Sequence, residues 1–295
     1  MFSKTHCPAG LQAYLSGVAQ AKRISTLSAS RIRLAGQKLT IPDTASFLFT
    51  YPGIFEKEIY RFPSDKKQPV IIDGGANIGL SVIYFKKLFP QAKIIAFEPD
   101  KQLFPILSQN VASFGFSDVE LVNKGLWNET TTLSFFSEGA DSGSIQNAEL
   151  DNTTVHSIET VQLRDYLTFP EVDFLKLDIE GAETNVLLDI ESRLPSVRNL
   201  FIEYHSFIGQ PQTLDVILRI LTRHNFRYYL STFGCVGQPR PYIQPASYNN
   251  MDVQLNIFAV RQKQEYTPLC PLSRGEVGQC AFPPRRGIGG GLLIY

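Results

Sequence analysis

A short apolar run that ends in an acid and a glycine-rich turn constrains the fold of this chain more than any other feature. Val70-Ile71-Ile72-Asp73 has the composition of a buried strand, and Gly74-Gly75-Ala76-Asn77-Ile78-Gly79 follows it directly. Apolar residues then recur at three- and four-residue intervals over residues 80–88, which predicts a helix. A strand, a glycine turn and a helix in this order indicate the first unit of a parallel α/β sheet.

The same alternation of apolar runs and amphipathic stretches continues to about Val260. It predicts an α/β fold with one seven-stranded, mostly parallel sheet and helices on both faces, because strands that are covered on both faces are apolar throughout. A polar insert at residues 131–161 predicts a β-hairpin with a mobile loop. We expect strands over residues 70–73, 93–98, 119–123, 172–178, 200–204, 226–230 and 253–260, and helices over residues 80–88, 103–114 and 214–221.

Changes in composition divide the chain into three parts. Residues 1–68 mix short apolar and polar groups and are expected to form an N-terminal cap or lid. Residues 69–262 carry the α/β pattern. Residues 263–295 include the glycine-rich run 285–291, which has little to pack against and much backbone entropy to lose, so we expect a disordered tail.

Charge and cysteine content argue against several classes of protein. The 28 basic residues equal the 28 acidic ones, so the formal net charge is zero and a nucleic-acid partner is not expected. The four cysteines form no C-x-x-C pair, which favours reduced thiols in a cytoplasmic protein over a zinc site or a disulfide framework. No apolar run approaches the ~20 residues of a membrane helix, so neither an integral membrane span nor a secretory signal is expected.

The acid before the glycine turn distinguishes between two cofactors. Dinucleotide enzymes place a G-x-G-x-x-G turn under a pyrophosphate, whereas this turn has the pattern acid-x-Gly-x-Asn-x-Gly. Asp73 would repel a pyrophosphate but attract the amino group of an amino-acid moiety, which favours S-adenosylmethionine over NAD. Glu98 lies about 25 residues downstream at the end of the next predicted strand, where a carboxylate can accept both ribose hydroxyls.

Three motifs together resemble the FkbM family of methyltransferases. They are Asp73-Gly-Gly-Ala-Asn-Ile-Gly, Phe97-Glu98-Pro99, and Leu175-Lys176-Leu177-Asp178-Ile179-Glu180-Gly181-Ala182-Glu183. The resemblance extends from about Val70 to Tyr229. It implies the class I methyltransferase Rossmann-like fold for residues 69–262, with S-adenosyl-L-methionine as the methyl donor. The family mostly methylates hydroxyls of sugars, polyketides and related metabolites, and some members methylate peptide amide nitrogens, so a small-molecule or glycan acceptor is expected.

The predicted cofactor site consists of the glycine turn and the strand ends beside it. Asn123 and Gly125 are expected at the adenine edge, because in this fold the region after the third strand packs beside that base. The full set is Asp73, Gly74, Gly75, Asn77, Gly79, Glu98, Pro99, Asn123, Gly125 and Asp178.

The predicted catalytic residues are Asp178, Glu180 and His205. The two acids end the fourth predicted strand, and alternation would place them on one side if the strand geometry continued. One could take the proton of the acceptor hydroxyl while the other holds the substrate or, as a less favoured alternative, a divalent metal; no metal is required. Glu180 could instead cap the following helix. His205, after the fifth predicted strand, is the best histidine base, although a structural role fits about equally well.

Two other functions fit parts of the pattern. A nicotinamide-dependent oxidoreductase would need a glycine pattern that this chain lacks. A non-catalytic module that binds S-adenosylmethionine or a glycan would have less need to bury the neighbouring charges of Asp178 and Glu180.

Overall fold

The computed structural model describes residues 30–137, 143–144, 154–232, 242–243, 247 and 250–262. A π-helical turn (Pro52–Glu56) follows the first helix, and 3-10 turns (Leu163–Asp165 and Glu191–Ser196) precede two strands. The α-helices are α1 (Thr44–Tyr51), α2 (Leu80–Leu88), α3 (Leu103–Ser113), α4 (Glu183–Asp189) and α5 (Leu214–Arg223). The strands are β1 (Ser30–Leu34), β2 (Gln37–Ile41), β3 (Val70–Gly74), β4 (Lys93–Phe97), β5 (Val119–Val122), β6 (Gly125–Trp127), β7 (Thr132–Ser137), β8 (Gly143–Ser144), β9 (Thr154–Gln162), β10 (Val172–Leu177), β11 (Val197–Phe207), β12 (Phe226–Ser231) and β13 (Met251–Arg261).

Seven strands form the central sheet, in the spatial order β12-β13-β11-β10-β3-β4-β5. The neighbours from β11 to β5 pair in parallel, and β13 runs antiparallel to both β11 and β12. The predicted seven-stranded, mostly parallel α/β fold is therefore confirmed. The strand order reverses between β3 and β10, and a crevice at the carboxyl ends of these strands is where such sheets bind ligands.

The apolar strands separate two hydrophobic cores. Side chains alternate along β3, so that Ile71 belongs to one core and Ile72 to the other. The first core contains residues of α2, α3 and the N-terminal segment, and the second contains residues of α4 and α5. Coverage on both faces explains why these strands are continuous apolar runs rather than alternating ones.

Residues 30–68 pack as a cap on the first core. β1 and β2 form a hairpin, which was not predicted. The amide of Asn110 on α3 bonds both backbone groups of Thr40, accepting from its N–H (2.8 Å) and donating to its carbonyl (2.9 Å). Tyr60 packs edge-on against Phe201 of the sheet, with ring centroids 4.9 Å apart. The cap is thus attached to both α3 and the sheet.

The polar insert forms a second, four-stranded sheet with the order β6-β9-β7-β8. β7 and β9 pair antiparallel, which confirms the predicted hairpin. The remainder of the insert, residues 138–142 and 145–153, lies outside the described residues, as do the four cysteines and the predicted tail at 263–295. Within the described ranges, no helix is both long and apolar enough to cross a membrane.

Gly75 in the turn after β3 should not tolerate a side chain. A Cβ at this position would lie 1.8 Å from the carbonyl oxygen of Asp178, and the residue has φ +81°. We expect Gly75→Ala to lower the free energy of unfolding by about 3 kcal/mol or more, measured by urea denaturation. Gly36 is the matched control, because it has φ +84° with nothing within 4 Å of its Cβ position. Gly36→Ala should cost only about 1 kcal/mol of backbone strain; equal losses in both variants would contradict the role of the Asp178 contact.

Candidate active site

The glycine turn lies at the carboxyl end of β3, in the crevice where the strand order reverses. Gly75, Asn77 and Gly79 adopt positive φ angles of +81°, +48° and +90°. The backbone N–H groups of Gly75 and Ala76 donate to the carbonyl oxygen of Phe97, at 3.0 and 2.8 Å. These bonds attach the turn to the end of β4 and direct the chain into α2.

Glu98 follows β4 and supports the turn. Its two carboxylate oxygens accept hydrogen bonds from the backbone N–H groups of Asn77 (2.8 Å) and Asp100 (2.9 Å). Each oxygen keeps a second lone pair, so the carboxylate can still accept bonds from hydroxyl groups. Burial raises the pKa of Glu98 to about 7, against the lowering effect of these two bonds.

Asn123 and Gly125 have packing roles beside this loop. The Asn123 amide donates to the carbonyl oxygens of Glu98 (2.8 Å) and Pro99 (3.3 Å), and it thereby holds the loop to the end of β5. Gly125 is buried at the start of β6, where an added Cβ would lie 3.1 Å from Ile158 Cδ1. Contact of either residue with adenine stays a prediction.

A buried lysine connects the turn to the end of β10. Lys176 Nζ donates to the carbonyl oxygen of Gly75 at 2.8 Å. It also lies 3.1 Å from Asp178 Oδ2 and 3.4 Å from Asp73 Oδ1. Burial opposes the charge of Lys176, but the carboxylates of Asp178 and Asp73 outweigh burial and raise its pKa. Asp73 is fully buried and also accepts a hydrogen bond from Ser81 Oγ (2.5 Å), so it supports the turn from below.

Asp178 and Glu180 lie in the turn after β10. The strand ends at Leu177, and the chain then turns with φ +55° at Glu180 and +97° at Gly181. The strand does not continue to either acid, so strand alternation does not place Asp178 and Glu180 on one side as was expected. Both acids nevertheless line the same cavity.

Glu183, in the first turn of α4, holds this turn together. Its carboxylate accepts hydrogen bonds from the backbone N–H groups of Ile179 (3.2 Å) and Gly181 (3.0 Å). The same carboxylate lies 3.0 Å from Nδ1 of His205. α4 begins without a side-chain cap, so the capping role considered for Glu180 is not observed, and Glu183 instead holds the turn that precedes the helix.

His205 is buried inside β11 rather than after it. Antiparallel pairing with β13 extends this strand to Phe207, which corrects the predicted boundary. The Nε2 atom lies 3.7 Å from Glu180 Oε2 and 4.0 Å from Glu203 Oε1. Burial lowers the pKa of His205, but Glu180, Glu183 and Glu203 outweigh burial and raise it well above its ordinary value. His205 thus lies behind the lining of the cavity, in contact with Glu183 and close to Glu180 and Glu203.

The carboxyl groups of Glu180 and Glu203 have pKa values that are raised to near neutral pH. Burial raises the pKa of Glu180 to about 8 and that of Glu203 to about 7. Repulsion from Asp178 adds to both shifts, and His205 opposes them. Gln254 Nε2 donates to Glu203 Oε1 at 2.5 Å. A carboxyl group with a pKa near neutrality is suited to proton transfer with a hydroxyl.

One cavity joins the glycine turn to these acids. Residues of the N-terminal cap form its opposite wall, and two amide side chains of β13 complete it. The residues that line the cavity include Asp43, Phe47, Phe49, Ile54, Gly75, Asn77, Lys176, Asp178, Glu180, Glu203, Gln254 and Asn256.

The structure separates the predicted site residues into three groups. Gly75, Asn77, Asp178 and Glu180 line the cavity directly. A second group lies behind that surface and contacts lining residues: Asp73 through Ser81 and Lys176, Glu98 through Asn77, and His205 beside Glu180 and Glu203. Gly74, Gly79, Pro99, Asn123 and Gly125 shape the backbone around the turn.

Sequence reasoning missed Lys176, Gln254 and Asn256 as members of the site. A lysine within the apolar run 172–177 was a usable signal, because a charged side chain in a doubly covered strand needs a buried partner. Gln254 and Asn256 are two residues apart on β13 and share a face, but their proximity to β11 depends on long-range pairing.

Three side chains have donor atoms close enough to share a metal ion. Atoms of Asp178, Glu203 and His205 lie within 4.8 Å of one another. The ammonium group of Lys176 already lies 3.1 Å from Asp178, which places one positive charge in this cluster. The prediction that methyl transfer requires no metal stays a prediction.

The fold and the site define a class of protein. A Rossmann-like sheet with an acid-bearing glycine turn, a carboxylate after the second strand and an acidic crevice at the switch point is typical of a class I methyltransferase. A family model described as the methyltransferase FkbM domain matches residues 73–228, more than half of the chain. The chain belongs to the FkbM methyltransferase family, as the motifs predicted.

Several known proteins are similar to this chain. Methyltransferase sdnD of Sordaria araneosa is 30% identical over 58% of this chain and 79% of that protein. The 2-O-methyltransferase NoeI of Sinorhizobium fredii is 24% identical over 48% of this chain and 65% of that protein. The hexuronic acid methyltransferase AglP of Haloferax volcanii is 27% identical over 51% and 63%. A solved FkbM methyltransferase from Methylobacillus flagellatus is 18% identical with a TM-score of 0.44, and the match spans 69% of this chain but 46% of that one.

The raised pKa values make stability depend on pH. Glu180, Glu203 and Glu98 hold protons in the folded state that the unfolded chain releases above about pH 4.5, so the free energy of unfolding should fall as pH rises from 5 to 8. Glu180→Gln should flatten this fall by on the order of 1 kcal/mol between pH 6 and 8, measured by urea unfolding. Glu120→Gln, at an exposed position of β5, should follow the parent protein. Parallel curves for all three proteins would refute the assignment.

Proposed function

We propose that this protein is an S-adenosylmethionine-dependent methyltransferase that methylates a hydroxyl group of a sugar or another secondary metabolite. The single observation that carries this proposal is the continuous cavity from the glycine turn at Gly75 and Asn77 to the acids Asp178 and Glu180. A donor held on the turn would present its methyl group toward carboxylates able to accept a proton. The printed names of NoeI and AglP, a 2-O-methyltransferase and a hexuronic acid methyltransferase, favour a sugar acceptor.

The arrangement around the turn suits the proposed donor, which would supply an electrophilic methyl group on a sulfonium. Glu98 would accept the ribose hydroxyls with the lone pairs that Asn77 and Asp100 leave free. Gly75 would let the donor approach the backbone of the turn that leads into α2. Residues 30–68 would close the cavity from the opposite side as a cap, within a catalytic domain spanning 69–262.

Glu180 is the general base in this proposal. It lines the cavity, and its raised pKa gives it a higher proton affinity than an ordinary carboxylate. His205 is less suited because it is buried against Glu183 and does not line the cavity, whereas Glu180 does. In the reaction, the acceptor oxygen would bond to the methyl carbon while the carbon–sulfur bond breaks, and the hydroxyl proton would pass to Glu180. Positioning of the two reactants would supply most of the rate enhancement.

Cofactor choice can be tested by thermal stability. S-adenosylmethionine at 100 times its dissociation constant should stabilise the protein by about 2.7 kcal/mol and raise the melting temperature by about 5 °C or more, whereas NAD should not. Glu98→Gln should remove at least half of the shift, because the amide offers one oxygen instead of two. Glu120→Gln is the surface control and should retain the full shift. A shift with NAD, or none with S-adenosylmethionine, would reject the cofactor assignment.

The base can be tested by methyl transfer to glycan, polyketide and peptide acceptors, read by mass. Glu180→Gln should lower kcat roughly 10²–10⁴-fold while the melting shift with S-adenosylmethionine persists. The parent activity should rise with pH through the pKa of Glu180, and this rise should disappear in the variant. Glu203→Gln, in the same cavity, is the matched control. If Glu203→Gln loses more activity than Glu180→Gln, the assignment of the base is wrong.

A further inference from the structure

The cavity is lined by several carboxyl groups and, among the described residues, by few basic side chains. Asp178, Glu180 and Glu203 line it together with Asp43 of the N-terminal cap. Asp43 serves there as the N-cap of α1, accepting from the backbone N–H of Ser46 at 2.6 Å. These four carboxyl groups come from three separate places in the chain, so tertiary folding concentrates them.

The positive charges nearby are already committed. Among the described residues that line the cavity, Lys176 is the single lysine or arginine. Its Nζ donates to the carbonyl oxygens of Gly75 (2.8 Å) and Gly74 (3.3 Å), and it lies 3.1 Å from a carboxylate oxygen of Asp178 and 3.4 Å from one of Asp73. Its charge is therefore already paired with two carboxylates. The side chain of His205 is 1% exposed and lies 3.0 Å from Glu183. An anionic group entering this cavity would therefore lose its hydration without gaining an uncommitted lysine or arginine from the described lining residues.

The raised pKa values of Glu180 and Glu203 agree with this arrangement of many carboxyl groups and few basic side chains. Burial and mutual repulsion raise the pKa values of Glu180 and Glu203, which means that nearby cations do not fully compensate their charge. An additional anion in the cavity would raise the pKa values of Glu180 and Glu203 further, and the same repulsion would weaken the binding of that anion. A hydroxyl or ammonium donor would have the opposite effect.

The N-terminal cap contributes an apolar part of the cavity lining. Phe47, Phe49 and Ile54 contribute to it, and Phe49 is 62% exposed, unusual for a large aromatic side chain. Gln254 and Asn256 add amide groups from β13. All five residues lie outside the segment 73–228 that matches the family model, so this wall is contributed by parts of the chain that the family match does not include.

We infer that the acceptor is a hydroxylated molecule without negative charge, neutral or amine-bearing, with one apolar face that lies on the wall formed by Phe47, Phe49 and Ile54. Uronic acids and phosphorylated sugars are excluded by the acids of the cavity. This inference rests on the proposed methyl transfer, and it narrows the acceptor to a class different from the one named for AglP.

Binding of matched neutral and acidic compounds tests the inference. The probes are three pairs in which a hydroxymethyl group is exchanged for a carboxylate, built on a hexopyranose, a cyclohexanol and a phenol. Dissociation constants are measured with the full chain and saturating S-adenosylhomocysteine. The neutral member should bind at least ten-fold more tightly than its acidic partner. Equal or tighter binding of the acids, or no binding by any neutral member, would overturn the inference.

Two substitutions of opposite charge sharpen the test. Glu203→Gln removes a carboxylate and should reduce the preference for the neutral member at least three-fold. Gln254→Glu adds a carboxylate beside Glu203 and should increase the preference by a similar factor. An unchanged ratio in both variants would show that charge does not select the acceptor. Methyl transfer is read separately by mass, because neutral compounds that bind but are not methylated would count against the proposed function and not against the charge preference.

Discussion

The buried ion pairs of Lys176 are the interaction on which the rest of the site depends. A charge in a protein interior persists only when it is paired and hydrogen-bonded, and removing one partner of such a pair typically costs about 3–5 kcal/mol. Lys176 meets this condition by contacting the Gly75 carbonyl on one side of the crevice and Asp178 on the other. Its position therefore couples the backbone of the glycine turn to an acid that lines the same cavity.

The contact between Glu183 and His205 is a second buried pair that connects separate segments of the site. Glu183 bonds the backbone of the turn after β10 and also the ring of His205, so it joins α4 to β11. Glu180 and Glu203 then face a cavity in which desolvation, rather than pairing with cations, dominates their protonation. One physical cause, crowding of carboxyl groups in a poorly solvated crevice, thus underlies both the proposed proton transfer and the proposed selection against anions.

Local pattern predicted most of the fold and part of the site. The glycine turn and Glu98 were recognisable because a strand end, a turn and a helix start are encoded by neighbouring residues. The β1–β2 hairpin was missed because its two turn residues, Ala35 and Gly36, both adopt positive φ without the Asn-Gly or Asp-Gly pair that signals such turns. The end of β11 was misplaced because β13, about 50 residues later, extends the strand past His205.

The sequence by itself determined the class of fold, the glycine turn and the family, since apolar periodicity and the Asp73–Gly79 and Lys176–Glu183 motifs are local properties of the chain. Only the tertiary structure decided which acids share a cavity, which carboxylate holds the turn after β10 and which residues of distant segments line the cavity. The physical reason is that burial, pairing and pKa depend on groups brought together from distant segments. Lys176, Glu203 and Gln254 acquire their roles through contacts across three different strands, and no short window of sequence contains all three.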